Sequence, residues 1–178
     1  MLKQSQILDE KNKILRKISN KVSFPLDKET KDLINDMTEY LRLSQDEDYA
    51  EKNNIRAGMG LAFPQLGILK RIFVISYKND DGTFEEYTVI NPEIVSNSEE
   101  KVYVEEGEGC LSVNRPVEGI VPRYARVTVE YDDLDGKRTS VRVREEMSVA
   151  FQHEIDHLNG ILFVDKIDNS NKDNMRAI

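Results

Sequence analysis

Both histidines of this 178-residue chain lie in one short stretch, QHEIDHLNG, which covers residues 152–160. They are His153 and His157. Because residues four apart share one face of an α-helix, both imidazoles could bind one metal ion. Glu154 directly follows the first histidine, where its carboxylate could reach a water beside the metal and act as a general base. The alternative is a surface helix whose histidines face solvent, but it does not explain why both histidines flank an acid. The stretch therefore predicts a metal-binding helix.

A catalytic metal site generally has three protein ligands and one position open to water, so this helix needs a third ligand. In zincin proteases that ligand is typically a histidine or glutamate downstream. Here the only acids after His157 are three aspartates, Asp165, Asp168 and Asp173. The other soft donor is Cys110, in GEGCLSV, and a thiolate binds Zn²⁺ or Fe²⁺ strongly. A lone cysteine is more often a small buried apolar residue, but the glycines at 107 and 109 allow a close backbone approach and favour the ligand.

A third block, GMGLAFPQ, covers residues 58–65. It is not a dinucleotide-binding fingerprint, because no third glycine opens a helix. Gln65 carries a neutral amide that could donate a hydrogen bond to a developing oxyanion without competing for the metal. Taken alone, the block favours the simpler interpretation that Gln65 caps a loop.

The elements that must position these residues follow from periodicity. Apolar residues at helical spacing predict a helix over residues 28–43, with Asp27 as its N-cap. Residues 7–22 are expected to form a short helix or an irregular packed segment, and the polar residues 44–56 an exposed connection. The metal-binding helix would run from about residue 145 to 159. Alternating apolar residues bounded by turn sequences predict strands at 71–77, 86–90, 93–96, 101–105, 126–131, 138–143 and 161–164.

These strands do not alternate with helices, which indicates an α+β fold. We expect antiparallel sheets packed around a central helix in the C-terminal half that carries the H-E-x-x-H motif. At this length the chain can bury its own core, so we expect one catalytic domain over residues 1–178.

Composition limits the classes of function. The chain has 33 acids against 25 lysines and arginines, a net charge of -8, and no dense basic run, so direct nucleic-acid binding is not expected. Cys110 is the only cysteine; no internal disulfide can form, which suits a reducing compartment. The first residues do not resemble a signal peptide, and no apolar run has the length of a membrane helix. We therefore expect a cytoplasmic protein that does not bind a membrane.

GMGLAFPQ, EGCLS and QHEIDH, in this order and approximate spacing, resemble the three signature motifs of peptide deformylase. The resemblance extends over about residues 58–157, and ILR at residues 14–16 also resembles the family. One residue departs from it, because the family loop usually has alanine where this chain has Phe63. The phenyl ring must either find room in the core or crowd the wall of the pocket.

The resemblance implies an enzyme that removes the N-formyl group from the N-terminal methionine of newly made polypeptides and releases formate. Cys110, His153 and His157 would bind one divalent metal ion, in the family a physiological Fe²⁺ that Zn²⁺ or Ni²⁺ can replace. Glu154 would deprotonate the bound water and later pass the proton to the leaving amine. The side chain of Gln65 and the backbone N–H of Leu111 would hold the oxyanion.

The resemblance also implies how substrates bind. Gly60 would pair through its backbone with the peptide, which binds as an added strand, and Ala150 would leave space for the methionine side chain. The partners implied are N-formylmethionyl peptides and nascent chains near the ribosome, with the enzyme itself a monomer. The long segment before GMGLAFPQ and the short tail resemble the family's Gram-positive-type subclass.

Two other classes of function fit the sequence less well. A zincin-type endopeptidase would use the same helix, but the missing downstream ligand and Cys110 disfavour it. A metal-stabilised binding module would need a closed site with four ligands, whereas the chain has only three soft ligands.

Overall fold

Three α-helices and eight strands make up the regular structure of residues 2–170 and 172–178, which the computed structural model describes. The helices are α1 (Lys28–Ser44), α2 (Glu47–Asn53) and α3 (Glu145–Leu158). The strands are β1 (Gly60–Ala62), β2 (Ile72–Lys78), β3 (Phe84–Asn97), β4 (Lys101–Tyr103), β5 (Arg123–Tyr124), β6 (Arg126–Asp132), β7 (Arg138–Arg144) and β8 (Arg176–Ala177). Within the described ranges, no helix combines the length and apolar character that a membrane crossing needs.

The main sheet has five strands in the order β1-β2-β3-β6-β7, and all neighbours are antiparallel. Both faces of β2 are covered, which explains its unbroken apolar sequence IFVI. Successive side chains of a strand point to opposite faces. Ile72 and Val74 accordingly pack in the core on the side of α1, and Phe73 and Ile75 pack on the side of α3.

A smaller sheet has three strands in the order β5-β4-β8. β4 pairs antiparallel with β5. It pairs parallel with β8, where Val102 lies opposite Arg176. Among the strands of the described residues, this short parallel pair departs from the antiparallel arrangement expected, and an isolated parallel bridge joins Asn20 to Lys70. The α+β fold class is confirmed.

Helix α1 begins where the sequence predicts. The Asp27 side chain accepts a hydrogen bond of 2.6 Å from the backbone N–H of Thr30, which satisfies one of the free donors of the first turn. Its apolar stripe buries Ile34, Met37 and Leu41 against the sheet. The predicted helix is confirmed, with one more residue at its C-terminal end.

The helix predicted over about residues 145–159 is confirmed as α3, which crosses the other face of the main sheet. Phe151 is fully buried, and its ring meets Phe73 and Tyr87 edge-on at centroid distances of 5.5 and 5.2 Å. Burial of one such ring stabilises the fold by roughly 1.5–3 kcal/mol. Just after the helix, Gly160 has a φ of 73°, and a Cβ there would lie 2.7 Å from the backbone of Arg16. Glycine is therefore required where the N-terminal segment passes the end of α3.

Three predictions about local structure were wrong. Residues 44–56, expected to be an exposed connection, contain α2, whose N-cap Asp46 accepts a hydrogen bond from the N–H of Tyr49. The helix buries no residue, so its sequence has no apolar stripe that would predict it. The strand at 86–90 continues through Pro92, because a register shift between Ile90 and Glu93 accommodates the missing donor. Residues 161–164 are not a strand: Phe163–Lys166 forms a 3₁₀ turn.

Candidate metal centre

Cys110, His153 and His157 come together although 42 residues of sequence separate the cysteine from the first histidine. Their potential ligand atoms all lie within 4.8 Å of one another. The Cys110 Sγ is 3.3 Å from the Nε2 of His157, and the two imidazole centroids are 5.0 Å apart. α3 supplies the histidines, and the loop between β4 and β5 supplies the cysteine. Sequence reasoning therefore selected three residues that do meet.

The orientation of His153 is set by Glu108, which sequence reasoning missed. The His153 Nδ1 lies 2.8 Å from Glu108 Oε2. Burial alone would raise the pKa of Glu108, but hydrogen bonds from Arg123 and His153 outweigh it and hold the pKa at about 2. The carboxylate is therefore ionised, so Nδ1–H donates to it and Nε2 is left for a metal. The one feature of the sequence that could have indicated this role is the position of Glu108, two residues before Cys110.

Arg123 connects Glu108 to α3. Its guanidinium, only 2% exposed, donates to both oxygens of Glu108 at 2.7 and 2.9 Å and to Asp156 at 2.6 Å. Lys166 binds the other oxygen of Asp156 at 2.7 Å. Two acids and two cations thus compensate one another beside the candidate metal ligands, as buried charges require. The order of these residues in the chain gives no sign of this network.

The two histidines have opposite titration behaviour. Burial opposes the charged form of His153, but hydrogen bonds to Cys110 and Glu108 outweigh it and hold its pKa well above the usual value. Burial lowers the pKa of His157, and the positive charges of His153 and Arg123 add to that effect. Without a metal, the cluster therefore favours a proton on His153 and a neutral His157.

Glu154 is buried, with 4% of its surface exposed. Burial raises its pKa to about 7, and the negative charges of Glu108 and Asp156 act in the same direction. Its Oε2 is buried and has no hydrogen-bond partner within the described residues. A carboxylate with a raised pKa and a free oxygen suits a general base that exchanges a proton with a small molecule.

Gln65 is held in a fixed orientation from the turn after β1. Its Oε1 accepts from the N–H of Ala62 at 2.8 Å, and its Nε2 donates to Ser112 Oγ at 3.1 Å. Nε2 also lies 3.6 Å from Cys110 Sγ, so the amide points toward the candidate metal ligands. Gln65 caps its turn and also lines the cavity, and both interpretations of this residue are compatible with the geometry.

A cavity of about 390 Å³ is lined by Gln65, Cys110, His153 and Glu154. It is large enough for an amino-acid side chain and a short stretch of backbone. Its walls include Gly60 of β1 and Val149 and Ala150 of α3, together with Leu111. Phe63, the residue that departs from the family pattern, is fully buried among the apolar residues on the α1 side and is not part of the cavity wall.

The donor set fits a divalent metal ion. One thiolate and two imidazoles form a three-ligand set suited to Fe²⁺, Zn²⁺ or Ni²⁺. Glu108 supports one histidine from outside, as is usual for metal-binding imidazoles. His157 differs, because its Nδ1 is buried and has no partner within the described residues.

Comparison with known proteins gives a consistent result. The family model for polypeptide deformylase matches residues 4–173. The peptide deformylase of Oceanobacillus iheyensis is 45% identical over 167 residues, covering 94% of this chain and 91% of the relative. That of Pediococcus pentosaceus is 44% identical over 172 residues, covering 96% and 94%. Both come from Bacillales or Lactobacillales, which agrees with the expected Gram-positive-type subclass.

Solved structures agree with the sequence comparison. A peptide deformylase from Thermotoga maritima has a TM-score of 0.71 at 33% identity, covering 91% of this chain and 96% of that one. A probable peptide deformylase from Synechococcus phage S-SSM7 has a TM-score of 0.73 at 35% identity, covering 90% and 98%. The similarity extends over nearly the whole chain.

Proposed function

The chain belongs to the polypeptide deformylase family, whose members remove the N-formyl group from nascent polypeptides, and we propose how its own residues carry out this reaction. We infer that residues 1–178 act as one catalytic domain. The single observation that carries the assignment of roles is the meeting of Cys110, His153 and His157 beside the buried carboxylate of Glu154.

Cys110, His153 and His157 would hold the metal ion. The family depends on a metal, and we propose that Fe²⁺ is the ion in the cell, with Zn²⁺ or Ni²⁺ able to replace it. When bound, the ion supplies Lewis acidity, which makes a water more acidic and polarises the formyl carbonyl. Because a thiolate partly neutralises the metal charge, a nearby protein base matters more here than in a site of three histidines.

Glu154 is proposed as that base. It would take a proton from the water that attacks the formyl carbon, and it would pass the proton to the amine nitrogen as the C–N bond breaks. The products are formate and a free amino terminus. The buried, unpartnered Oε2 supports this role, and so does a pKa of about 7, because the group must both accept and release the proton.

Gln65 and Leu111 are proposed to stabilise the negative charge that forms on the formyl oxygen. The Nε2 of Gln65 points toward the metal ligands. The backbone N–H of Leu111 follows Cys110 directly and makes no hydrogen bond of its own within the described residues. Donors fixed before the reaction stabilise a developing oxyanion most effectively.

The peptide is proposed to bind along the free edge of β1. This strand is at the margin of the main sheet, so the backbone of Gly60 can pair with an added strand. Ala150 lines the cavity one helical turn before His153, and its small side chain leaves space for methionine. We propose that the enzyme works as a cytoplasmic monomer close to the ribosome, without binding nucleic acid or membrane.

The decisive test is turnover of matched peptides by anaerobically purified protein, with metal analysis of the same sample. We expect release of formate from a formyl-Met-Ala-Ser peptide and none from its acetylated counterpart. Cleavage of an internal peptide bond would instead indicate an endopeptidase. Metal-loaded protein that turns over neither peptide would indicate a binding module and would refute the proposed function.

A further inference from the structure

Arg56 contacts the loop that carries both the cysteine ligand and the proposed oxyanion donor. Arg56 precedes β1 and lines the cavity, although it is not one of the residues singled out by the sequence. Its Nη2 donates to the carbonyl oxygen of Leu111 at 2.6 Å, and its Nη1 donates to that of Val113 at 2.9 Å. One guanidinium therefore bridges two carbonyls of the same short loop.

The two other carbonyls of residues 110–113 are also occupied. The Cys110 oxygen accepts from the N–H of Val113 at 3.1 Å, and the Ser112 oxygen accepts from the N–H of Glu10 at 2.7 Å. Four consecutive carbonyls thus have donors, and Arg56 supplies two of them. The N–H of Leu111 is left free within the described residues. These backbone carbonyls are held by hydrogen bonds, and Leu111, whose N–H is free, lines the cavity.

We propose that Arg56 is a positioning residue for deformylation, which fixes the Leu111 N–H in the direction that the oxyanion requires. This inference rests on the proposed function of Leu111. The three N–H donors of a lysine sit on one freely rotating nitrogen, whereas the guanidinium presents donors on two nitrogens of one rigid plane, as the contacts to Leu111 and Val113 use them. The geometry therefore calls for arginine at this position and not merely for a positive charge.

The same contact contributes little to the stability of the fold. Arg56 is an exposed residue, so water competes for its donors. The loop is also tied to the N-terminal segment through Glu10 and through Asn114, whose amide donates to Asp9 at 2.9 Å. Arg56 holds the peptide unit that follows the Leu111 Cα, and the Leu111 N–H belongs to the unit that precedes it. Loss of Arg56 should therefore loosen the backbone dihedral angles of Leu111, and with them the direction of its N–H, without unfolding the protein. Small displacements of this kind reduce the rate of the chemical step.

The test is the Arg56→Met variant of the zinc-loaded enzyme, with Arg138→Met as the matched control. Arg138 also donates to a backbone carbonyl, that of Asn91 at 2.8 Å, but lies outside the cavity. We expect kcat to fall about tenfold in Arg56→Met, with KM and bound zinc unchanged. The deformylated product peptide should bind as in the wild type, because it makes no oxyanion. Arg138→Met should keep the wild-type kcat.

A second readout separates positioning from general damage. In ¹⁵N–¹H spectra, the amide resonance of Leu111 should shift or broaden in Arg56→Met while that of Ala150 stays in place. If Arg56→Met does not fold, Arg56→Lys decides the question and should lose about threefold in kcat. A wild-type kcat and KM in the folded variant would overturn the proposal and leave Arg56 without a role in the reaction. A rise in KM alone would also overturn it and would assign Arg56 to peptide binding. Inactivity of the wild-type protein on formyl peptides would be a failure of the proposed function instead.

Discussion

The carboxylate of Glu154 occupies the space that a side chain at Gly60 would fill. A Cβ on Gly60 would lie 2.3 Å from Glu154 Oε1 and 2.8 Å from its carboxyl carbon. The φ of Gly60 is not in the left-handed region, so the glycine is required by this close approach and not by its backbone conformation. Strand β1 and helix α3 thus meet at the proposed base, and the missing side chain on one makes room for the acid on the other.

Gly60→Ala should therefore displace the Glu154 carboxylate. We expect kcat to fall about a hundredfold, because displacements of about 1 Å can cost that much, while bound metal stays at the wild-type level. Gly109→Ala is the comparison, since a Cβ there meets no atom within 4 Å, and it should lose much less. Equal activity of the two variants in a formate-release assay would contradict the steric argument.

Glu154→Gln should retain the metal and lose nearly all deformylation. The amide keeps the size of the side chain but cannot accept a proton, and a general base contributes about 10²–10⁴-fold to a rate. Metal analysis and formyl-Met-peptide turnover on one sample measure both outcomes. Substantial remaining turnover would remove Glu154 from the role of base.

Cys110→Ser should reduce the amount of bound metal. A serine hydroxyl is a far weaker ligand for Fe²⁺ or Zn²⁺ than a thiolate, and only His153 and His157 would remain. Metal content after dialysis, measured by elemental analysis, reports the effect independently of activity. An unchanged stoichiometry would rule out Cys110 as the third ligand.

Glu108 should make the fold sensitive to acid. Its pKa is depressed from 4.5 to about 2 in the folded protein, so its stabilising contribution is fully present above pH 4.5 and is lost as the pH falls toward 2. The shift corresponds to about 3 kcal/mol in the free energy of unfolding. We expect Glu108→Gln to be destabilised by about that amount at pH 7, with the difference from wild type narrowing below pH 4.5 in urea titrations.

The control for this prediction is Glu100→Gln. Glu100 pairs with Arg126 and Arg176, but its side chain is 39% exposed. Exposed pairs contribute about 1 kcal/mol or less, so this variant should follow the wild type. A Glu108→Gln variant as stable as Glu100→Gln would mean that the buried network adds no net stability.

The sequence alone predicted the family, the α+β class and the residues that meet at the candidate metal centre. The family was predicted from the resemblance of three motifs, whereas the helix with both histidines was predicted from local rules. Two histidines four apart must share a helix face, and a chain with two histidines and one cysteine leaves few choices of ligand. Helix α1 was predicted for the same reason, since Asp27 and an apolar stripe determine it locally.

Only the tertiary structure determined how the site is supported. Glu108, Arg123 and Asp156 belong to three different elements, and nothing in their spacing pairs them; the folded chain brings them together because buried charges must be compensated. Arg56 and the carbonyl of Leu111 are likewise 55 residues apart. Phe63 could have crowded the pocket or entered the core, and packing decided for the core. Ligand identity follows from residue type, whereas ligand orientation depends on contacts between residues distant in sequence, which only the folded chain specifies.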